Sequence, residues 1–348
     1  MIPLRVLGGA FALALFVLAA VRYRRRTASR LSLILSWAAA LGLLLVAASP
    51  DLFAPGFRLF NFRAGTGLRL VGLALFSVFV LFLLVLATMS GTDAALRSIR
   101  MLVEALAVQA FDRSQARGLP PGPRVVVVIP AFNEAENVGA VVHAIPEQVE
   151  GLPVVPLVVD DASEDRTSEV AREAGALVAR LPIRRGGGLA LRVGYELALE
   201  LQAAVVVTMD ADGQHVPDEM PLLVKPVLED QADLVNGSRV LGEFERESLV
   251  RHLGVHVFSW LVTLLTGSRV TDVSNGYRAV RADVLKRLVL DQDQFWTSEL
   301  LLEAMRHRLR IREVPITIRA RAAGESKKPK TVRYAWRFTR AIVQTWLR

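Results

Sequence analysis

From residue 124 onwards, short apolar runs rich in β-branched residues alternate with stretches of helical periodicity. The runs show no polar–apolar alternation, which is typical of strands covered on both faces. The predicted strands are Val125–Ile129, Val154–Val159, Ala204–Met209 and Asp233–Asn236, and the predicted helices are Glu134–Ile145, Thr167–Ala174 and Ala190–Leu201. Strands that alternate with helices predict a mostly parallel α/β sheet, which binds its ligands at the carboxyl ends of the strands.

A polar, mostly acidic cluster follows three of these strands. The clusters are Pro130–Glu134, Asp160–Asp165 and Asp210–His215. Because carboxylates at one sheet edge would repel one another, we expect a cation or a polar ligand among them. Asp210 and Asp212 offer carboxylate oxygens and Gln214 a neutral oxygen, a set that suits Mg²⁺ or Mn²⁺ sharing its shell with substrate phosphates. An isolated Asp-x-Asp is usually a solvated turn, but its position directly after an apolar strand favours a metal site.

Charge is distributed unevenly along the chain. Residues 1–120 hold 13 basic and 4 acidic side chains, residues 121–304 hold 16 and 28, and residues 305–348 hold 13 and 2. An acidic middle between two basic ends does not match a nucleic-acid-binding protein, whose folded domain would carry the positive charge. The basic ends suit a membrane surface with anionic lipid. The absence of cysteine excludes disulfides, zinc–thiolate sites and thiol nucleophiles.

Three apolar runs precede this region, at Val6–Val21, Leu31–Ser49 and Leu70–Met89. A transmembrane helix needs about 20 apolar residues, so the sequence predicts three spans, the first of marginal length. The first run also resembles a signal peptide in size, although no small-residue cleavage site is evident. Five arginines between residues 22 and 30 place the first loop in the cytoplasm by the positive-inside rule. We therefore expect an integral membrane protein whose chain beyond Met89 lies on the cytoplasmic face.

These patterns divide the chain into four parts. Residues 1–93 form the predicted membrane domain, 94–123 a juxtamembrane amphipathic helix and linker, 124–327 the α/β domain, and 328–348 a basic amphipathic helix. Residues 247–266 begin polar and become strongly apolar, which favours an interfacial helix over a core helix. The C-terminal helix is expected either on the membrane surface or against the α/β domain.

Six motifs follow one another in the α/β domain: Val128-Ile-Pro-Ala-Phe-Asn-Glu134, Val159-Asp-Asp-Ala-Ser163, Asp210-Ala-Asp-Gly-Gln-His215, Gly237-Ser-Arg239, Asp272-Val-Ser-Asn-Gly-Tyr-Arg278 and Gly324-Glu-Ser-Lys327. With these motifs, residues 124–327 resemble the family-two glycosyltransferases of the GT-A fold, and in particular the polyprenyl-phosphate sugar synthases such as the dolichol-phosphate mannose synthases. The resemblance implies a Rossmann-like catalytic domain with a mostly parallel sheet. The N-terminal region is similar to a small membrane domain that is sometimes fused to such enzymes.

The resemblance also implies roles for individual residues. Those implied in donor binding are Pro130, Asn133, Glu134, Asp160, Asp161, Gly188, Asp210 and Lys327, with Asp160 near the base. Those implied in binding the acceptor phosphate are Ser238, Arg239 and Arg251. Those implied in catalysis are Asp210, Asp212, Arg239, Asp272 and Glu299, with Arg278 in a segment near the sugar, and the metal ligands are Asp210, Asp212 and Gln214. Where relatives often carry an Asn in a glycine-rich loop, this chain has Arg184-Arg-Gly-Gly-Gly188, whose spacing does not fit a dinucleotide fingerprint.

The activity implied is the inverting transfer of one sugar from a nucleotide-diphosphate sugar to polyprenyl phosphate, with GDP-mannose favoured as donor and UDP-glucose next. A phosphate acceptor is largely ionised near pH 7, because its second pKa is about 6, so it needs positioning rather than a general base. The expected partners are this donor, the acceptor lipid and the bilayer. No nucleic-acid partner is expected, and the sequence leaves open whether the protein forms a homo-oligomer.

Two alternative functions are compatible with the sequence. One is a processive polysaccharide synthase or a transferase acting on a carbohydrate hydroxyl, against which the chain lacks a Q-x-x-R-W motif. The other is a membrane scaffold or lipid-translocation helper whose soluble domain is idle. The acidic clusters weigh against an idle domain, because unliganded carboxylates at one sheet edge would repel each other.

Overall fold

A computed structural model of the chain describes residues 2–24, 30–48, 78, 81–82, 85, 96–244, 249–320 and 332–347. The chain divides into one unit of Met1–Ile99 with Leu347–Arg348 and a second unit of Arg100–Trp346. In the first unit, α1 (Ile2–Arg24) contacts α2 (Arg30–Ala48). The rings of Phe16 and Trp37 stack with their centroids 4.5 Å apart.

The predicted membrane spans lie in this first unit. The runs 6–21 and 31–49 fall largely in α1 and α2, and only four residues of the run 70–89 are described. Among the described residues, no helix combines the length and the apolarity needed to cross a bilayer. The three predicted transmembrane helices are therefore not confirmed.

A helix over residues 96–110, α3, lies within the segment predicted to be juxtamembrane and amphipathic. Val103, Ala107 and Val108 are buried in the core of the second unit, whereas Leu102 and Leu106 are exposed. A helix is therefore present within this segment, and its juxtamembrane position stays a prediction.

Eight strands form one sheet in the described part of the chain. They are β1 (Arg124–Ala131), β2 (Gln148–Val149), β3 (Leu152–Asp160), β4 (Leu177–Arg180), β5 (Ala203–Thr208), β6 (Leu234–Phe244), β7 (Arg278–Arg281) and β8 (Ile311–Ile318). The order is β3-β1-β5-β7-β6-β8, and β3 also pairs with β2 and β4. β7 is antiparallel to β5 and β6, and β2 to β3, while the other pairs are parallel. The predicted α/β sheet is thus confirmed, but it is a mixed sheet, in which four of the seven strand pairs are parallel.

The central strand β1 is buried on both faces. Val126 and Val128 contribute to one core cluster, and Val125 and Val127 to the other. Side chains alternate between the faces of a strand, so a strand with cores on both sides needs apolar residues at every position. This explains the uninterrupted valine run in the sequence.

The helices of the second unit that follow β1 cover both faces of the sheet. They are α4 (Val138–Ala144), α5 (Thr167–Glu173), α6 (Gly187–Glu200), α7 (Met220–Leu228), α8 (Leu249–Thr266), α9 (Ala282–Leu285), α10 (Trp296–Arg306) and α11 (Val332–Trp346). α4 begins at Val138 and not at Glu134 as predicted. The reason is that the amides of Asn133 and Glu134 donate to Ser163 Oγ and Thr167 Oγ1, which holds this stretch in a loop.

The C-terminal helix α11 packs on the second unit. The ring of Phe338 lies 4.3 Å from that of Phe258 in α8 and 5.1 Å from that of Phe295, measured between centroids. Ile342 is fully buried. Of the two placements that the sequence leaves open for this helix, the structure shows contact with the α/β domain.

Candidate active site

The loops after β1 and β3 are joined by hydrogen bonds at the carboxyl edge of the sheet. The Asp161 amide donates to Ala131 O at 2.8 Å. Asn133 has a left-handed φ of 50°, and its amide donates to Ser163 Oγ at 2.9 Å. The Glu164 amide donates back to Asn133 Oδ1 at 2.8 Å. The first two polar clusters therefore lie together at this edge, as the sequence predicts.

Two other predicted donor residues belong to the same surface. Pro130 lies within β1, opposite Val159 of β3. Glu134 is buried, and its Oε2 accepts a hydrogen bond from Asn137 Nδ2 at 2.8 Å.

Asp160 is fully buried and holds its own loop. Oδ1 accepts from the Ser163 amide at 2.8 Å, and Oδ2 accepts from Ser168 Oγ and from Arg180 Nη1, the latter at 3.3 Å. Both oxygens thus already accept from protein groups. A role for Asp160 near the base stays a prediction.

Asp161 fixes the loop that leads into α6. Its two oxygens accept from the amides of Arg185 and Gly186, each at 2.7 Å. Burial raises the pKa of the Asp161 carboxyl, and these two hydrogen bonds oppose the rise. Beside this loop the Arg184 guanidinium lies 3.6 Å from the centre of the Phe132 ring.

The glycine run at the start of α6 packs against the backbone of residues 292–293. A Cβ on Gly188 would lie 1.9 Å from Gln292 O, and one on Gly186, whose φ is 107°, would lie 2.6 Å from Asp293 O. The Gly188 amide also donates to Asp293 O at 2.9 Å. Close backbone contact therefore explains these glycines, and a donor contact of Gly188 stays a prediction.

Glu299 holds the same segment from the start of α10. It is buried, and its oxygens accept from the amides of Asp291 at 2.8 Å and Gln292 at 2.9 Å. These two hydrogen bonds give the buried Glu299 carboxylate a structural role. Its predicted part in catalysis stays a prediction.

Asp210, Asp212 and Gln214 follow β5 directly. Asp212 Oδ1 accepts from the Gln214 amide at 3.2 Å, and Gln214 Nε2 donates to Arg319 O at 3.1 Å. The Gln214 side chain therefore has Oε1 as its potential ligand atom. A Cβ on Gly276 would lie 2.9 Å from Asp210 Oδ1, so the glycine makes room for this carboxylate.

The oxygen atoms that this segment offers as ligands suit a hard divalent cation. Two carboxylates and one amide oxygen are ligands that Mg²⁺ and Mn²⁺ accept when substrate phosphates complete the shell. No group of three or more His, Cys, Asp or Glu side chains suited to a metal occurs among the residues that the structure describes. The segment thus supplies a partial ligand set, which suits an ion that arrives with a nucleotide.

Arg239 and Asp272 form an ion pair. Arg239 Nε donates to Asp272 Oδ2 at 2.6 Å, and Asp272 is fully buried, with Oδ1 accepting from the Ser274 amide at 3.2 Å. Ser238 is buried as well, and its Oγ lies 2.6 Å from Thr271 Oγ1. The loop 271–274 therefore fixes Ser238 and Arg239, two of the residues implied in phosphate binding.

Arg278 anchors the same loop from inside the domain. It is fully buried and donates to Asn236 Oδ1 at 2.7 Å, to Val273 O at 2.9 Å and to Thr297 O. Burial lowers the pKa of the guanidinium to about 10, so the group is protonated near neutral pH. These contacts give Arg278 a structural position beneath the segment expected near the sugar.

Two predicted site residues cannot be placed against the others. Arg251 belongs to α8, but its side chain lies outside the described residues, and Lys327 lies outside them altogether.

Three further residues hold the site together without having been assigned a role from the sequence. His215 and Asn275 hydrogen-bond each other and lie inside quoted motifs, so the motifs themselves were the signal. Asp293 accepts from Arg185 Nη2 at 3.0 Å and from Arg192 Nη2 at 3.1 Å, and it lies 3.1 Å from Arg100 Nε. No local pattern marks Asp293.

A mixed α/β sheet of this order, with an Asp-x-Asp segment after a central strand, defines a glycosyltransferase domain with a GT-A-like fold. Comparison with known proteins identifies the family. Residues 126–289 match the domain described as glycosyl transferase family 2. An undecaprenyl-phosphate mannosyltransferase of Micrococcus luteus is 34% identical over 215 residues, which cover 59% of this chain and 87% of that protein. The chain therefore belongs to glycosyl transferase family 2 and is a glycosyltransferase.

Another relative and one solved structure support this assignment. The polyprenol monophosphomannose synthase of Mycolicibacterium smegmatis is 33% identical over 62% of this chain and 87% of its own length. The glucosyl-3-phosphoglycerate synthase of Mycobacterium tuberculosis, solved with Mn²⁺, UDP and glucosyl-3-phosphoglycerate, superposes with a TM-score of 0.52 and 25% identity over 65% of this chain and 79% of that one.

Proposed function

We propose that this glycosyltransferase transfers one hexose, mannose before glucose, from a nucleotide-diphosphate sugar to polyprenyl phosphate. The observation that carries the proposal is the loop 272–276, which contacts residues of both predicted substrate sites. Gly276 makes room for Asp210 Oδ1, and Asp272 binds Arg239. One short loop thus connects the donor carboxylates with a phosphate-binding arginine, which suits direct transfer between two phosphorylated substrates.

The relatives support the choice of acceptor and sugar. Two of them are an undecaprenyl-phosphate mannosyltransferase and a polyprenol monophosphomannose synthase. The similar solved structure contains UDP and Mn²⁺. GDP-mannose, which the sequence resemblance favours, is the first donor to test and UDP-glucose the second, with Mg²⁺ or Mn²⁺ as the cofactor.

The chemistry of the described residues fits this reaction. A divalent ion held by Asp210, Asp212 and Gln214 would stabilise the charge of the leaving diphosphate as a Lewis acid. Arg239, oriented by Asp272, would bind the acceptor phosphate, whose oxygens match the planar guanidinium. An ionised phosphate attacks without a general base, and attack from the face opposite the diphosphate inverts the anomeric carbon.

We also propose that the protein is anchored in a membrane and acts at its cytoplasmic face. Five arginines between residues 22 and 30 support the orientation. On α8, Val257, Trp260 and Leu264 share one exposed face, which suits the interface of a bilayer that holds the acceptor.

The transfer assay uses the full chain with Mn²⁺ or Mg²⁺, polyprenyl phosphate, and GDP-mannose, UDP-glucose or other nucleotide sugars. The expected product is an acid-labile glycolipid, and Asp212→Asn should reduce its formation at least about a hundredfold, a loss typical of a removed charge-stabilising group. Asp218→Asn, an exposed acid a few residues away, is the matched control and should retain activity. No product with any donor, or a polymer as product, would contradict the proposal.

The membrane proposal is tested by vesicle flotation and by protease access in oriented membrane vesicles. Leu264→Glu should weaken binding to vesicles that contain polyprenyl phosphate and anionic lipid. Leu222→Glu, an equally apolar exposed position on α7, should leave binding unchanged. Equal effects of both changes would contradict an interfacial role of α8, and a second unit protected from protease on the cytoplasmic side would contradict the orientation.

A further inference from the structure

His215 lies at the end of the Asp210–His215 segment and is buried. Its ring stacks on Tyr277 with the centroids 5.0 Å apart and an angle of 23° between the planes. Tyr277 is fully buried, and its hydroxyl donates to Val216 O at 3.2 Å. The imidazole is therefore held in a single position, with both ring nitrogens directed to protein groups.

The hydrogen bonds of His215 determine its tautomer. The Asp210 amide donates to His215 Nδ1 at 3.2 Å, and a backbone N–H is only a donor, so Nδ1 carries no proton. The ring proton then resides on Nε2, which lies 3.0 Å from Asn275 Oδ1. His215 thus accepts from the donor-site backbone on one side and donates to Asn275 on the other.

Two backbone groups determine the orientation of Asn275. Its Nδ2 donates to Gly237 O at 2.6 Å, and a carbonyl is only an acceptor. The Tyr277 amide donates to Asn275 Oδ1 at 3.4 Å. The buried Asn275 amide therefore connects His215 to Gly237, which directly precedes Ser238 and Arg239.

We propose that His215 and Asn275 are positioning residues that set the distance between the donor and acceptor groups. The hydrogen bonds run from the Asp210 backbone through His215 and Asn275 to the strand that carries Arg239. They cross from the donor loop to the acceptor strand inside the protein, where Asn275 is buried. Asn275 belongs to the loop 272–276, in which Gly276 makes room for Asp210 Oδ1 and Asp272 binds Arg239. In this proposal these contacts hold both substrates in register, and His215 and Asn275 contact neither substrate.

The hydrogen bonds on the two sides of the His215 imidazole can be removed separately. In His215→Asn the amide oxygen replaces Nδ1 and keeps the Asp210 hydrogen bond, but the shorter side chain does not reach Asn275. In His215→Gln the amide nitrogen replaces Nε2 and keeps the bond to Asn275, but the Asp210 amide loses its acceptor. His143→Gln is the matched control, because His143 is exposed on α4 and its Nδ1 bonds only within that helix, to Gly139 O at 2.7 Å.

Two measurements follow, each made well below the melting temperature of every variant. Calorimetry with Mn²⁺ and GDP or UDP measures the Kd of the nucleotide. This Kd should rise at least about tenfold in His215→Gln, and it should change less than about threefold in His215→Asn and His143→Gln. Steady-state transfer should give a kcat about tenfold to a hundredfold lower in His215→Asn, with the KM of both substrates within about threefold, because small misplacements cost this much. Asn275→Ala should resemble His215→Asn, and the double variant should lose no more than either single one.

The kinetic arm rests on the proposed function, whereas the calorimetric arm does not. A wild-type protein that binds nucleotide but transfers no sugar to polyprenyl phosphate would contradict the proposed acceptor, and the calorimetric comparison would still test the role of His215. Variants with lower melting temperatures but unchanged kcat and Kd would overturn the inference, since a purely structural histidine behaves in this way. If His215→Gln does not fold, the kcat of His215→Asn and Asn275→Ala decides the question, and an unchanged kcat in both would overturn the inference.

Discussion

Arg239 Nε donates to Asp272 Oδ2 at 2.6 Å, and the Arg239 amide approaches the same oxygen at 3.3 Å. Asp272 is fully buried, whereas the Arg239 side chain is 17% exposed. The carboxylate thus holds one edge of the guanidinium from inside the protein. The buried acid determines where the arginine presents its charge.

Asp272→Asn should raise the KM for polyprenyl phosphate about tenfold, because the neutral amide no longer orients the guanidinium. The KM for the nucleotide sugar should change less than about twofold. Initial rates at saturating donor and varied acceptor measure the difference. Asp283→Asn, an exposed acid on α9, is the control and should leave both constants unchanged. An equal rise in both constants would contradict a specific acceptor role.

Gly276→Ala should weaken Mn²⁺-dependent nucleotide binding about tenfold, since its Cβ would lie 2.9 Å from Asp210 Oδ1 and 3.1 Å from Trp296 Cη2. Calorimetry with and without Mn²⁺ measures this effect. Gly254→Ala on α8 is the control: its Cβ would meet only Phe258 at 3.9 Å, so binding should stay the same. Unchanged binding in Gly276→Ala would show that Asp210 does not need this space.

Gly188→Ala should destabilise the fold by about 3 kcal/mol, the upper range for overpacking, because its Cβ would lie 1.9 Å from Gln292 O. Gly187→Ala is the neighbouring control, with its nearest atom, Trp296 Nε1, at an ordinary 3.4 Å. Urea unfolding of both variants measures the difference. Equal stability of the two would refute the close contact between the glycine run and residues 292–293.

Asp293→Asn should cost about 2 kcal/mol of unfolding free energy, because Arg100, Arg185 and Arg192 lose a shared and largely buried acid. The expected loss is below the about 3–5 kcal/mol of a fully buried pair, since the Asp293 side chain is 20% exposed. Glu173→Gln removes the exposed pair with Arg166 and should cost less than about 0.5 kcal/mol. Similar losses in the two variants would argue against a special role of the Asp293 cluster.

The strands β1, β3 and β5 were predictable because cores on both faces demand uninterrupted apolar residues. An uninterrupted apolar run does not mark β8, which alternates buried Val314 and Ile316 with exposed Arg312 and Pro315. β7 is only Arg278–Arg281, and it is a strand because it pairs with β5 and β6. Its stability comes from neighbours distant in sequence, so local patterns carry no signal for it.

The candidate site, like the fold, was predictable from the sequence only in part. The polar clusters after β1, β3 and β5 were predictable, because parallel strands end at one sheet edge. The structure adds that Asp160 and Glu299 accept hydrogen bonds from their own or neighbouring loops. A sequence shows that an acid is present, but not whether its oxygens are already occupied. The ion pairs of Asp293 join segments about a hundred residues apart, which no local spacing reveals.

Asp230 and Arg310 form an exposed ion pair that should make the stability of the fold depend on pH in acid. Arg310 Nη2 donates to Asp230 Oδ1 at 2.6 Å, and Arg281 donates to the same oxygen. These bonds, that from Arg310 first, lower the pKa of Asp230 to about 2, and hydrogen bonds from Arg310 also lower the pKa of Asp233. A carboxyl whose pKa is lowered by folding stabilises the fold above its unfolded pKa, and this contribution is lost as the pH falls from about 4 to about 2.

Arg310→Gln should therefore have a lower Tm than the wild type at pH 6, and the difference should shrink towards zero near pH 2. Calorimetric melting at constant ionic strength measures it, with Lys286→Gln as an exposed control whose Tm difference should not depend on pH in this range. A difference for Arg310→Gln that stays constant down to pH 2 would show that the Asp230 carboxylate contributes nothing to stability.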